Sequence, residues 1–274
     1  MPSQLSEYSG LAERVARFED LKRLARAETL THFRAAPEIS NKANQGAFDP
    51  VTEADRACER AMRNLIEQAF PTDGIIGEEY GNVRPEASVQ WIIDPIDGTR
   101  AYVAGVPLWG SLVGIVYEET PVAGMGYQPF LDESFEGSAA GALWKMRGAE
   151  RELQTRACQS FSEATLMTTT PSLFQGQQRA AYDRLEAACR NVRYGTDWYG
   201  YALVAAGTCD LVVETGLALY DILPLVPIIE GSGGIVTDWG GAPLRETGFT
   251  GQVLAAGDRG LHQQALKLLR HAAV

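Results

Sequence analysis

Trp91-Ile92-Ile93-Asp94-Pro95-Ile96-Asp97-Gly98-Thr99-Arg100 ends an apolar run in two carboxylates three residues apart, then a glycine and a hydroxyl. The run from 89 to 93 predicts a buried strand, and Pro95, which lacks an N–H, is expected to stop it. Asp94 and Asp97 then sit where the chain turns. Gly98 and Thr99 are expected to open a helical turn, where first-turn N–H groups have no intrahelical partner and can hold an anion. Carboxylates suit hard cations, and unpaired N–H groups suit phosphate. Together they are the parts of a metal-assisted phosphatase site.

Composition narrows the alternatives. The chain has 274 residues, 45% hydrophobic and 22% charged, as in ordinary globular proteins. Its formal net charge is −11, which disfavours nucleic acid and anionic membrane as partners. An acidic protein acting on a phosphorylated metabolite needs divalent cations to reverse the local charge. Cys58, Cys158, Cys189 and Cys209 form no C-x-x-C pair, and His32, His262 and His271 have no ligand spacing, so oxygen donors are expected for any metal. Residues 1–9 carry no apolar leader, and no run approaches a membrane span, so a cytoplasmic protein is expected.

Outward from the 91–100 stretch, helical spacing predicts one amphipathic helix over 10–35, with Ser9 before it, and a second over 53–70 ended by Pro71. Short apolar runs predict strands at 75–76, 108–117 and 122–127. The glycine-rich stretch 137–148 reads as a hairpin or a seam between lobes. Beyond it, strands are expected at 166–169, 191–194, 211–214, 235–237 and 253–256. Helices are expected at 179–189, 198–206, 222–230 and 261–272. The class is α/β, with an N-terminal α+β lobe over 1–147 and a C-terminal α/β lobe over 148–274.

Each acidic element has a plain explanation when taken singly. Thr52 with Asp55 has the spacing of a capping box, Glu78-Glu79 that of a solvated turn, and Asp221 that of an N-cap. Lys42 falls in a polar stretch. Taken together, Asp55, Glu78, Asp94, Asp97 and Asp221 all fall at or beside predicted element ends. Carboxylates that share metal ions must converge in this way.

In order, Asp49-Pro50-Val51-Thr52-Glu53-Ala54-Asp55, Gly77-Glu78-Glu79, Asp94-Pro95-Ile96-Asp97-Gly98-Thr99 and Tyr220-Asp221 with Gly231-Ser232-Gly233-Gly234 resemble the inositol monophosphatase family. The resemblance implies a layered α-β-α-β-α sandwich and a Mg²⁺-dependent phosphomonoesterase, with two to three ions, Mn²⁺ as a substitute, and a homodimer. It assigns the first metal to Glu78, Asp94 and the Ile96 carbonyl. The second goes to Asp94, Asp97 and Asp221, and a looser third to Glu78 and Asp55, with Lys42 supporting its loop. Gly98 and Thr99 would hold the phosphate. Thr99, Asp55 (with Thr52 behind it) and Glu78 are the candidates to orient or activate water.

Arg100-Ala101-Tyr102, the stretch from Gly105 to Leu112, Arg193-Tyr194-Gly195-Thr196-Asp197 and Trp198-Tyr199-Gly200-Tyr201 resemble the histidinol-phosphate branch. One departure is Thr196, where a second glycine is common. The resemblance places Asp197 and Glu214 near the leaving group, where a cationic one would reward them, and makes Arg193 a phosphate or subunit contact. Inositol 1-phosphate or another sugar-alcohol phosphate is the alternative substrate. A non-catalytic descendant would be expected to lose carboxylates, and all five are present.

Overall fold

The computed structural model describes residues 10–35, 39–41 and 50–273. Ser9, Lys42 and Asp49 lie outside the described residues. In place of one long N-terminal helix there are two, α1 (Leu11–Val15) and α2 (Phe18–Leu30), separated by a turn at Ala16 and Arg17. β1 (Ile39–Asn41) and β2 (Pro50–Thr52) pair antiparallel. Then α3 (Glu53–Ala69) starts at Thr52 with the expected capping box.

A seven-stranded sheet follows, in spatial order of sequence: β3 (Gly74–Gly77), β4 (Val89–Asp97), β5 (Gly110–Tyr117), β6 (Thr120–Gln128), β7 (Glu133–Ser138), β8 (Gly141–Met146) and β9 (Ala149–Glu152). β3 and β4 are parallel, and every other pair is antiparallel. The short helix α4 (Thr99–Val103) leaves the end of β4. The glycine-rich stretch is therefore a hairpin between β7 and β8.

Pro95 does not stop β4. The strand runs to Asp97, and its register against β5 shifts between Asp94, opposite Leu112, and Asp97, opposite Gly110. The proline falls inside this bulge, beyond the last β3 pairing at Ile93, where no ladder N–H is required. Ser111 Oγ donates to the Pro95 carbonyl at 2.6 Å and holds the bulge.

The second half alternates as expected. β10 (Thr165–Thr168), α5 (Gly176–Ala188), β11 (Asn191–Tyr194), α6 (Asp197–Ala205) and β12 (Leu211–Glu214) precede α7 (Leu219–Ile222) and α8 (Val226–Gly231). β13 (Ile235–Thr237), β14 (Val253–Ala256) and α9 (Arg259–Leu269) close the chain. The expected single helix over 222–230 is split: Pro224 follows α7, and Pro227 sits in the first turn of α8. The five-stranded sheet has the order β11-β10-β12-β14-β13, with β14 antiparallel to both neighbours.

Layers follow from strand parity. Trp91 and Ile93 of β4 pack with Phe18, Leu21, Met62 and Ile66 of α2 and α3. Ile92, with Leu112 and Phe135, faces Trp198, Tyr201, Ile222 and Ile228 of the middle helices. The outer face of the second sheet packs on Tyr182, Leu185, Leu261 and Leu266 of α5 and α9. The result is the expected α-β-α-β-α sandwich.

The middle helices come close to the first sheet where glycines interrupt the side chains of its inner face. A Cβ on Gly124 would lie 1.8 Å from the Pro224 carbonyl oxygen, and one on Gly126 would lie 2.5 Å from the Trp198 ring. Only glycine admits that approach. It brings α6 and α7 down onto the end of β4. Among the described residues, no helix is long and apolar enough to cross a membrane.

Candidate active site

The same parity that turns Ile92 inward turns Asp94 inward, and Asp94 is only 2% exposed. The bulge then brings Asp97 back to the same end of the sheet. Asp221 arrives from the other half of the chain. It is not the N-cap of its helix: Ala218 holds that place, and Asp221 is the third residue of α7, its Oδ2 accepting the Ala218 N–H at 2.8 Å. Carboxylate oxygens of Asp94, Asp97 and Asp221 all lie within 4.8 Å of one another.

The electrostatics of this cluster are adverse without a cation. Burial, then Glu78, Asp97 and Asp221, push the Asp94 carboxyl well above the usual range; Glu78 also hydrogen-bonds to it. Burial, then Asp197 and Asp221, do the same to Asp97, against the relief of one N–H donor. Left alone, such a cluster favours the protonated form of its carboxyls. A hard divalent ion would replace those protons, and an all-oxygen donor set suits Mg²⁺ or Mn²⁺. The residues present therefore fit the metal that their arrangement implies.

Glu78 stands just after β3, its N–H donating to the Ile93 carbonyl at 3.3 Å. The Ile96 carbonyl, the expected backbone ligand, accepts the Thr99 hydroxyl at 2.9 Å and retains a second lone pair. Ile96 N–H donates to Asp94 Oδ1 at 3.0 Å, which fixes that carboxylate's rotation. Gly98 has φ 79° and caps α4. The α4 turn is braced from below by Phe33, Tyr102 and Trp109, and Tyr102 donates to the Thr29 carbonyl at 2.7 Å.

Asp55 has one committed oxygen and one idle one. Its Oδ2 accepts Thr52 N–H at 2.8 Å and the Thr52 hydroxyl at 2.5 Å. Its Oδ1 is buried with no hydrogen bond among the described residues. Burial pushes this carboxyl up to about 6, with Glu78 adding to the rise and Thr52 opposing it.

Beside the cluster lies a second acidic place. Asp197, at φ 44°, opens α6, and a Cβ on Gly98 would stand 3.2 Å from its Oδ2. Burial raises the Asp197 carboxyl, while Thr169 and Arg100 lower it. Glu214, at the end of β12, is 1% exposed, accepts the Thr169 N–H through Oε1, and leaves Oε2 without a partner among the described residues. Burial pushes its carboxyl up to about 8. The Tyr201 hydroxyl is buried and without a hydrogen-bond partner among the described residues, in the field of Glu214, Asp221 and Asp97. Arg193 is placed apart, exposed on the sheet-edge strand β11.

Tyr201 was read only as part of the aromatic cluster 198–201, with no role at the site, and two further residues were not read from the sequence at all. Glu59 and Arg63 on α3 hold the Glu78 turn, and their signal was the four-residue spacing from Asp55 that puts all three on one helix face.

Residues 12–273 match the model of the inositol monophosphatase family. The chain is 41% identical to the bifunctional phosphatase IMPL2 of Arabidopsis thaliana over 87% of its own length and 69% of that protein. It is 33% identical to a histidinol-phosphatase of Chlorobaculum parvum, over 70% of this chain and 73% of that one. An inositol monophosphatase structure from Zymomonas mobilis superposes with a TM-score of 0.85 at 38% identity, covering 96% of this chain and 99% of that one.

Proposed function

The chain belongs to the inositol monophosphatase family, and on that premise we propose that it is a Mg²⁺-dependent phosphomonoesterase that hydrolyses L-histidinol phosphate to L-histidinol and phosphate. The phosphatase class follows from the family. The substrate rests on one observation: two carboxylates, the half-buried Asp197 and the buried Glu214, beside the Asp94–Asp97–Asp221 cluster, both raised by desolvation. Histidinol carries an ammonium and an imidazole, which would neutralise them. Inositol offers only hydroxyls. Relatives named histidinol-phosphatase support this choice, and relatives named inositol-1-monophosphatase make inositol 1-phosphate the reading to test against it.

In this proposal Glu78, Asp94, Asp97, Asp221 and the Ile96 carbonyl hold the cations, with Asp55 at a looser third position. When bound, the cations supply positive charge to the phosphate and acidify water beside it. Gly98 and Thr99 N–H groups hold phosphate oxygens at the start of α4. Asp55 Oδ1, kept idle by the Thr52 bonds to Oδ2, orients the attacking water, and Thr99 and Glu78 share that task. Asp197 and Glu214 hold the leaving alcohol through its cationic groups. Phosphoryl transfer asks for this positioning and charge balance more than for a covalent intermediate.

The proposal includes a lobe over 1–147 carrying most ligands and a lobe over 148–274 supplying Asp221 and the substrate carboxylates. It also includes a homodimer and a cytoplasmic setting. The deciding experiment is phosphate release by purified protein from L-histidinol phosphate, inositol 1-phosphate and 3′-phosphoadenosine 5′-phosphate, each with Mg²⁺ and with chelator. Strong, chelator-sensitive preference for the first supports the proposal. Preference for inositol 1-phosphate refutes the role given to Asp197 and Glu214.

A further inference from the structure

α3 carries a second fully buried acid that the chemistry above does not use. Glu59 is 0% exposed and lies one helical turn after Asp55. Its Oε2 accepts the Glu79 N–H at 2.8 Å, and its Oε1 accepts the Tyr80 N–H at 3.3 Å and Arg63 Nε at 2.7 Å. Arg63, a further turn along, donates through Nη2 to the Tyr80 carbonyl at 3.1 Å. The two residues after Glu78 are thus gripped by one ion pair, while Glu78's own N–H is tied to the Ile93 carbonyl, next to Asp94.

The grip is close enough to dictate the residue before Glu78. A Cβ on Gly77 would lie 2.1 Å from Glu59 Oε1 and 2.6 Å from Arg63 Nη2. Such a pair is a poor source of stability, because burying both charges offsets most of their attraction. What it does supply is a fixed acceptor for two backbone N–H groups of the turn that follows Glu78.

We propose that Glu59, backed by Arg63, is a positioning residue for the Glu78 carboxylate and sets how tightly the divalent cation is held. This rests on the metal-site reading above. Glu59 touches neither the cation nor the substrate. It acts by confining the backbone from which Glu78 reaches toward Asp94.

The test is Mg²⁺ titration by calorimetry, with hydrogen exchange of the 77–81 segment, on the wild type and on Glu59→Gln. The amide keeps one acceptor but loses the charge and faces a donor with its other end. The expected result is Mg²⁺ binding weakened about tenfold, at the lower end of what removing a ligand's hydrogen-bonded support costs. Exchange at 77–81 should be faster in the metal-free variant, with circular dichroism unchanged. Wild-type Mg²⁺ affinity in Glu59→Gln overturns the inference and leaves the metal site standing. No Mg²⁺ binding by the wild type removes both. If the variant does not fold, the wild type decides. Slowing of Glu79 and Tyr80 exchange by Mg²⁺, without slowing in the distant β8–β9 hairpin, supports the inference. Unchanged exchange at those two amides refutes it.

Discussion

The carboxylate of Asp97, at the end of the first sheet, accepts the backbone N–H of Trp198, in the first turn of α6, at 2.7 Å. One side chain therefore serves two halves of the molecule. It contributes to the oxygen cluster, and it caps the N-terminal turn of a helix from the other half of the chain. Asp197, immediately before Trp198, is held in its left-handed backbone conformation at that junction.

These two duties separate by substitution. Asp97→Asn keeps an oxygen to accept the Trp198 N–H but loses the charge. Melting temperature without metal is expected to stay at or above wild type, because repulsion in the cluster falls. The Mg²⁺-induced rise in melting temperature should largely vanish, and turnover should drop by at least about 10³-fold, several kcal/mol of lost charge stabilisation. Asp94→Asn should behave alike. Retained Mg²⁺-dependent phosphate release in either variant would refute the assigned ligand set.

Metal binding should expel protons. Asp94 and Asp97 are raised by burial and by neighbouring carboxylates, which favours bound protons that a cation would displace. Mg²⁺ affinity is therefore expected to climb as pH rises. Calorimetric titrations at one pH in buffers of different ionisation enthalpy will read the proton count. An observed enthalpy independent of buffer would show that the carboxylates were already ionised.

Substrate choice should depend on Asp197. In Asp197→Asn, kcat/KM for histidinol phosphate is expected to fall by about 10- to 100-fold, as for a lost hydrogen bond to a charged group. Inositol 1-phosphate turnover, which gains nothing from a negative charge there, should change little. Equal losses on both substrates would mean that Asp197 acts through α6 rather than through the leaving group.

Much of this site was legible in the chain because its parts are local. Thr52 and Asp55 announce the start of α3 by spacing alone, and β12 and β14 are short apolar runs whose ends were read without error. What was not legible depends on partners distant in sequence. Pro95 lies harmlessly within β4 because the bulge and Ser111 take over the ladder there. β9, Ala-Glu-Arg-Glu, is exposed throughout and has no apolar alternation to betray it. Glu59 looks like any acid on a helix surface until the 77–80 turn folds over it.

Acid should destabilise the fold through His262. Burial, with Arg259 adding, pushes its imidazole down from 6.5 to about 4. Thr237 gives its hydroxyl proton to the Asp238 carbonyl and so accepts from His262 Nε2–H at 2.9 Å, which fixes the neutral tautomer. Between those two pH values the unfolded chain binds a proton that the folded one does not. Stability therefore falls as pH drops through that window and levels off below it. The loss is at most about 3 kcal/mol. His262→Gln should flatten that part of the profile in urea unfolding followed from pH 7 to 4. An unchanged slope would assign the acid sensitivity to other groups.

The glycine positions on the inner face of the first sheet also bear on the order in which the molecule comes together. Asp94 and Asp97 belong to a sheet that can pair from nearby chain, whereas Asp221 reaches them only when Pro224 settles against Gly124. That contact joins remote parts of the sequence and is among the slowest to form. A cation held by the three carboxylates, as proposed, would bind only once that contact has formed. Mg²⁺ will lengthen the lifetime of the native state and leave the speed of refolding nearly untouched.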